Sequence, residues 1–303
     1  MSSSRRSPAN GSFRFYLVAR TLSMFGDRFN ELAVPIIVLA ATDSVVTAGI
    51  VTAANRVPAL LFALPIGALV DRVSRHRLML VSDYGRAAVL LPLVVSLAID
   101  DVPVPMLTAI MFVVGIGDLV FLTSARAFMV SLVGRSRLVG ANGKLEAGDA
   151  IATLSGPAIG ALVLQVFGAA TAIGVNAVSF LASAALLQRI PGESSSPVPV
   201  AQAGRREELL AGMRAIWRVP EQRVIQGVLM LLNLLAGGVV LVVIALTRDV
   251  LGLSPIETGL VLAGAGAGGL LSSLLVAPRI EHRHWGPILA ALLTIAAAGM
   301  IGL

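Results

Sequence analysis

Asp27, Arg28 and Glu31 stand inside a long, predominantly apolar stretch, residues 15–41. A charge at the centre of a bilayer costs ~2.5–3.5 kcal/mol on insertion scales, so such residues face a cavity or a partner. The midpoint of the stretch is near residue 28. Asp27 and Glu31 are one helical turn apart and share a face, whereas Arg28 is rotated by about 100°. A carboxylate at that depth can take up and release a proton, which is the chemistry a proton-driven carrier requires. Arg56 lies in the next apolar stretch at the depth of Glu31, so a Glu31–Arg56 ion pair is expected. Such a pair is more commonly a staple between helices than part of a transport pathway. Asp118 is buried deep in a fourth stretch, with no partner in its own helix. For Asp27 and Asp118 the structural and functional readings both stand. Asn55, also within a stretch, is expected to form an interhelical hydrogen bond more readily than a ligand contact.

A second group of charges, Asp83, Arg86, Arg126, Glu146 and Asp149, falls toward the inner ends of the third to fifth stretches. With Asp71 and Arg72 it forms either a charge-paired latch or a set of solvated helix ends. Other chemistries find no support. Cysteine is absent, and His76, His282 and His284 are too few and too scattered for a metal centre. No His/Glu metal pair or Ser/His pair occurs on an apolar stretch, so neither an enzyme nor a cofactor is expected.

The elements that must position these residues are membrane helices. The 303 residues are 56% hydrophobic and only 13% charged, about half the charge of a soluble chain. A water-soluble globule and a disordered chain are both excluded. Nine apolar spans are predicted, at 15–41, 46–70, 78–99, 104–125, 143–166, 168–188, 222–247, 257–277 and 286–303. They are long, rich in Leu, Ala and Gly, and lack period-two alternation, so the fold class is all-α and polytopic. Arginines gather before span one and in alternate connections (Arg72, Arg75, Arg77; Arg135, Arg137; Arg189 to Arg218; Arg279, Arg283), while the other connections hold only Arg248 and carry Asp43, Asp100, Asp101 and Asp249. The positive-inside rule places the N-terminus and the Arg-rich connections in the cytoplasm of a cell-membrane protein. The net charge of +6 reflects this bias and does not indicate nucleic acid.

The organisation read from these spans is a six-helix half (1–188), a cytoplasmic linker (189–221) and three further helices (222–303). Within the linker, 206–219 reads as an amphipathic helix, either on the membrane surface or packed beneath the bundle. An internal repeat supports two related halves. VDRVSRHR (70–77) matches APRIEHRH (277–284), and TAGIVTAA (47–54) matches ETGLVLAG (257–264). Parallel repeats of this kind mark one class of secondary transporter.

The stretch Gly67-x-x-x-Asp71-Arg72-x-Ser74-Arg75-x-Arg77 resembles the signature between helices two and three of the major facilitator superfamily, G-x-x-x-D-R/K-x-G-R-R/K. Ser74 departs from the second Gly, and His76 from the following basic residue. Gly156-Pro157-Ala158-Ile159-Gly160 resembles the G-P-x-x-G motif of that superfamily's antiporters, and 125–133 with 141–160 resembles its macrolide-efflux and enterobactin-exporter branch. The resemblance implies a twelve-helix bundle, of which this chain carries about nine. It implies a proton-coupled efflux carrier for a small amphipathic molecule such as a drug, a macrolide-like compound or a siderophore. It further implies that Gly67, Asp71, Arg72, Arg75 and Arg77 form a cytoplasmic gate, and that an acid in the first helix carries the proton. The expected partners are thus the lipid bilayer, a small-molecule substrate and protons. A carrier without transport activity of its own, or a non-transporting partner subunit, is the alternative.

Overall fold

A computed structural model describes residues 8–99, 103–191, 223–224, 227–228 and 238–264. Five long α-helices come first: α1 (Pro8–Thr42), α2 (Val45–Arg72), α3 (Arg75–Ala98), α4 (Val104–Val133) and α5 (Leu138–Leu187). Residues 238–250 form α6, whose last turn (Leu246–Val250) is a π-turn, and residues 255–264 form α7. No strand occurs among the described residues. Four helices there, α2 to α5, are long and apolar enough to cross a membrane.

That number is lower than the nine spans expected, for three reasons. α1 carries Arg14, Arg20, Asp27, Arg28 and Glu31, which make it too polar to stand out as a span. α5 contains two spans in one run, interrupted at Gly168. Spans seven and eight are described only in part, as α6 and α7, and the ninth span, the 206–219 helix and the 277–284 half of the repeat lie outside the described residues.

Gly168 is where α5 turns back. Its φ of 83° and ψ of 174° belong to glycine and not to a helix. Before it, Gly156 lies against Arg28 of α1; after it, Asn176 lies against Gly26 of the same helix. Residues 156 and 176 are therefore level with one another, so the chain has reversed. The break falls at the first residue of the predicted span 168–188, just after 143–166.

The helix ends have local causes. Ser74 caps α3, its Oγ accepting from the backbone N–H of Arg77 at 3.4 Å. This accounts for the serine that replaces the signature's second glycine. Ser254 and Glu257 form a reciprocal capping box at the start of α7, with Pro255 in its first turn. Two buried clusters lie within α1 to α5. One is centred on Leu90, Leu93, Leu107 and Phe180, with Leu241 of α6 packed against it, and the other on Tyr16, Phe121 and Phe128. Tyr16 Oη donates to the carbonyl of Ala125 at 2.9 Å, tying α1 to α4. Leu60, Leu61, Val81, Leu91 and Val95 remain exposed, as expected of side chains facing lipid.

Glycine sets the closest helix approaches. A Cβ at Gly115 of α4 would lie 2.1 Å from the backbone carbonyl oxygen of Asn55 on α2. Backbone cannot rotate out of the way, so Gly115→Ala is expected to push α2 off α4. Overpacking of this kind typically costs ~1–3 kcal/mol. A lowered melting temperature of the detergent-purified protein checks it, and an unchanged melting temperature would contradict the close approach.

Candidate functional site

α1 to α5 line an open cavity of about 270 Å³. Four arginines (Arg20, Arg28, Arg56, Arg86) and four carboxylates (Asp27, Glu31, Asp118, Asp149) line it, beside Met24, Val34, Met111, Val114 and Phe121. The apolar walls and convergent charges match the general anatomy of a small-molecule site.

The charges form two groups. In the first, Arg56 of α2 binds Glu31 of α1 at 2.5 Å, Arg28 binds the other oxygen of Glu31 at 2.8 Å, and Arg28 also reaches Asp149 of α5 at 3.0 Å. The expected Glu31–Arg56 contact is thus present and extends into a chain across three helices.

The second group is centred on Arg86, only 2% exposed. Its guanidinium binds Asp118 of α4 at 2.6 Å and Asp83 on its own helix, and comes within 3.5 Å of Ser23 Oγ. It is stacked between the rings of Phe180 and Phe121, at 3.9 and 4.8 Å from their centroids. Cation–π contact adds to the ion pairs in such a desolvated position. Asn55 Nδ2 donates to the second oxygen of Asp118 at 3.1 Å. Asp27, by contrast, has Arg86 only at 3.9 Å and makes no shorter ion pair among the described residues.

This arrangement corrects the expectation of a single inner cluster. Arg86 and Asp149 belong to the central cavity, and Asp83 joins it through Arg86. Arg126 and Glu146 enter neither group. The physical reason lies in the helix ends. α3 starts at Arg75 and runs 24 residues to Ala98, which puts Arg86 at its middle. α5 starts at Leu138, so Asp149 is three turns in and faces α1. Asp118 does find its partner, on α3 instead of on its own helix.

The signature residues lie apart from the cavity. Asp71 and Arg72 end α2, Val73 and Ser74 form the connection, and Arg75 and Arg77 begin α3. A Cβ on Gly67 would meet nothing within 4 Å.

His76, which breaks the signature pattern, has a structural task. Its Nε2 is 2.8 Å from the carbonyl oxygen of Leu187, and its ring centroid is 5.7 Å from that of Phe128. It joins the start of α3 to the end of α5. Nothing local in the sequence announces this contact, because its partner is 111 residues away.

The Gly156–Gly160 motif is a contact surface on two sides. A Cβ on Gly156 would lie 2.7 Å from Arg28 Cβ, and one on Gly160 would lie 3.3 Å from Phe29 Cα. On the other side, a Cβ on Gly259 of α7 would lie 2.7 Å from both the Pro157 carbonyl oxygen and Ala161 Cβ. Small residues thus let α1 and α7 approach α5 where Pro157 interrupts its hydrogen bonding. The glycines also give Arg28 room to reach Asp149.

The family model of the Major Facilitator Superfamily matches residues 16–303. The multidrug efflux pump Tap of Mycolicibacterium fortuitum is 27% identical over 304 aligned positions, covering 95% of this chain and 72% of that pump. Tap of Mycobacterium tuberculosis is also 27% identical, over 99% of this chain and 73% of its own length. Among solved structures, the POT family transporter PepTSo superposes with a TM-score of 0.51 at 15% identity. That match covers 86% of this chain and 53% of PepTSo, so the chain spans about half of that transporter's length.

Proposed function

Because this chain belongs to the Major Facilitator Superfamily, and is thus a multi-pass membrane protein of a transporter family, we propose that it exports a small amphipathic molecule from the cell in exchange for protons. The observation that carries this reading is the state of Asp27. Among the described residues, every other carboxylate lining the cavity has an ion pair of 3.0 Å or less, and Asp27 does not. A carboxylate that faces a cavity without a close cation is the group best suited to exchange a proton. The cavity joins apolar walls to arginines and carboxylates, which suits a molecule with both apolar and polar faces. The Tap pumps, named for multidrug efflux, support drug-like cargo, and macrolide-like compounds and siderophores remain within that class.

The proposed working unit has two related halves, 1–188 and 222 onward, joined by the 189–221 linker. In this reading the Asp71–Arg77 region, with Gly67 before it, acts as a gate and not as a substrate contact. The test uses proteoliposomes containing the protein and a fluorescent amphiphilic drug. An imposed pH gradient is expected to drive accumulation, and a protonophore to collapse it. Accumulation that ignores the gradient would remove proton coupling.

The proposed orientation has its own check. With the N-terminus cytoplasmic, a cysteine introduced at Ser74 is shielded from an impermeant thiol reagent in intact cells, and one at Asp101 is labelled. The native chain has no cysteine, so the background is clean. The opposite labelling pattern would invert the topology.

A further inference from the structure

A second cavity, about 370 Å³, opens at the end of the bundle where α1 begins, α4 ends and α5 begins. Its walls are Phe13, Leu132 and Val133, and its charged groups are Arg137 and Lys144, the only lysine in the chain. Among the described residues no carboxylate lines it. This sets it apart from the central cavity, where arginines and carboxylates are balanced.

The two cations lie on the exposed rim, each beside one neighbour. Arg137 Nε donates to the carbonyl of Val133 at 3.1 Å, leaving its terminal nitrogens for a further acceptor. Lys144 Nζ lies 5.7 Å from the centroid of the Phe13 ring. Ser136 adds a hydroxyl to the rim, and Gly140 adds no side chain, so the space beside both cations stays open. The first turn of α5 has no side-chain cap.

We propose that this cavity binds the phosphate headgroup of an anionic phospholipid from the adjacent leaflet. Two cations with no carboxylate beside them among the described residues favour an anion. The apolar wall favours a lipid over a free anion, because a soluble phosphate has no use for Phe13, Leu132 and Val133. Position agrees, since the cavity lies where three membrane helices leave the apolar layer. Basic pockets between helices at this level are suited to anionic headgroups.

The test titrates the detergent-purified full chain with dioleoylphosphatidylglycerol and reads bound lipid by native mass spectrometry. Wild type is expected to bind this lipid more tightly than dioleoylphosphatidylcholine. Arg137→Gln/Lys144→Gln is expected to weaken binding about 25-fold, from roughly fivefold per membrane-surface cation. Arg75→Gln/Arg77→Gln, with the same charge loss at the same end of the bundle, is expected to leave it unchanged. Gly140→Leu keeps both cations but fills the space between them, and it too is expected to lose binding. Equal weakening by both charge pairs would reduce the effect to general surface charge and overturn the site. So would binding unaffected by either the Arg137/Lys144 or the Gly140 change. Inorganic phosphate displacing the lipid at equal concentration would reassign the cavity to a soluble anion.

Discussion

Arg86→Gln is expected to abolish transport and to destabilise the protein by about 3–5 kcal/mol, the range for removing one partner of a buried ion pair. Arg86 is almost fully buried, and Asp83, its partner on the same helix, is completely so. Removing the guanidinium leaves Asp83, Asp118 and Asp27 facing a void with no cation at its centre. It also removes the stack between Phe121 and Phe180. Thermal unfolding of the purified protein reads the stability term. Asp83→Asn in the Arg86→Gln background is expected to restore part of it, because the orphaned buried charge is then gone. Arg86→Lys keeps the charge but offers a point donor where a planar fork now bridges two helices, so partial stability without full transport is expected. An unaltered melting temperature in Arg86→Gln would mean that these ion pairs contribute nothing net.

Asp27→Asn is expected to leave the fold intact and to eliminate uphill transport, while downhill movement of substrate persists. The substitution preserves size and removes the ability to exchange a proton. Asp27 makes no close ion pair and its side chain is 36% exposed, so little stability is lost with the charge. Proteoliposomes measure both modes, one with an imposed pH gradient and one with a substrate gradient alone. Uphill transport retained in Asp27→Asn would transfer the proton-carrying role to Asp118. Loss of both modes together with loss of expression would make Asp27 a structural residue.

The two substitutions differ in how far sequence could anticipate them. Asp27 and the Glu31–Arg56 pair were legible because depth in a membrane can be counted along a helix, and charges at equal depth in neighbouring spans find one another. Arg86 was misplaced because hydropathy marks the apolar layer, not the helix. α3 begins three residues before its apolar span, and α2 continues through Arg72. Backbone hydrogen bonding carries a helix past the point where its side chains become polar. Asp71–Arg77, read as a connection, is therefore mostly helix, with only Val73 and Ser74 between α2 and α3. The turn within α5 was well placed because Gly168 interrupts two apolar runs. What a single sequence lacks is the identity of lateral neighbours. The contacts of Arg28 with Asp149 and of His76 with Leu187 span 121 and 111 residues, and no local pattern encodes them.

The meeting of α5 with α7 has a consequence for biosynthesis. The Gln165 side chain accepts from the backbone N–H of Ile256 at 3.2 Å, a partner 91 residues later in the chain. At ~5–20 residues per second, the ribosome takes roughly 5–18 s to supply it. During that interval the first five helices must already hold together in the membrane. They have the means, since one buried cluster is complete by Ile190 and the other by Phe180, apart from the later contact of Leu241. Among the described residues, only the smaller cluster around Leu32, Ile36 and Ala161 has to wait for a buried member, Ile244 of α6. The newborn bundle thus has most of its described core in place before α6 and α7 arrive. The glycine at 259 lets the late-arriving helix seat against Pro157 without rearranging what is already built.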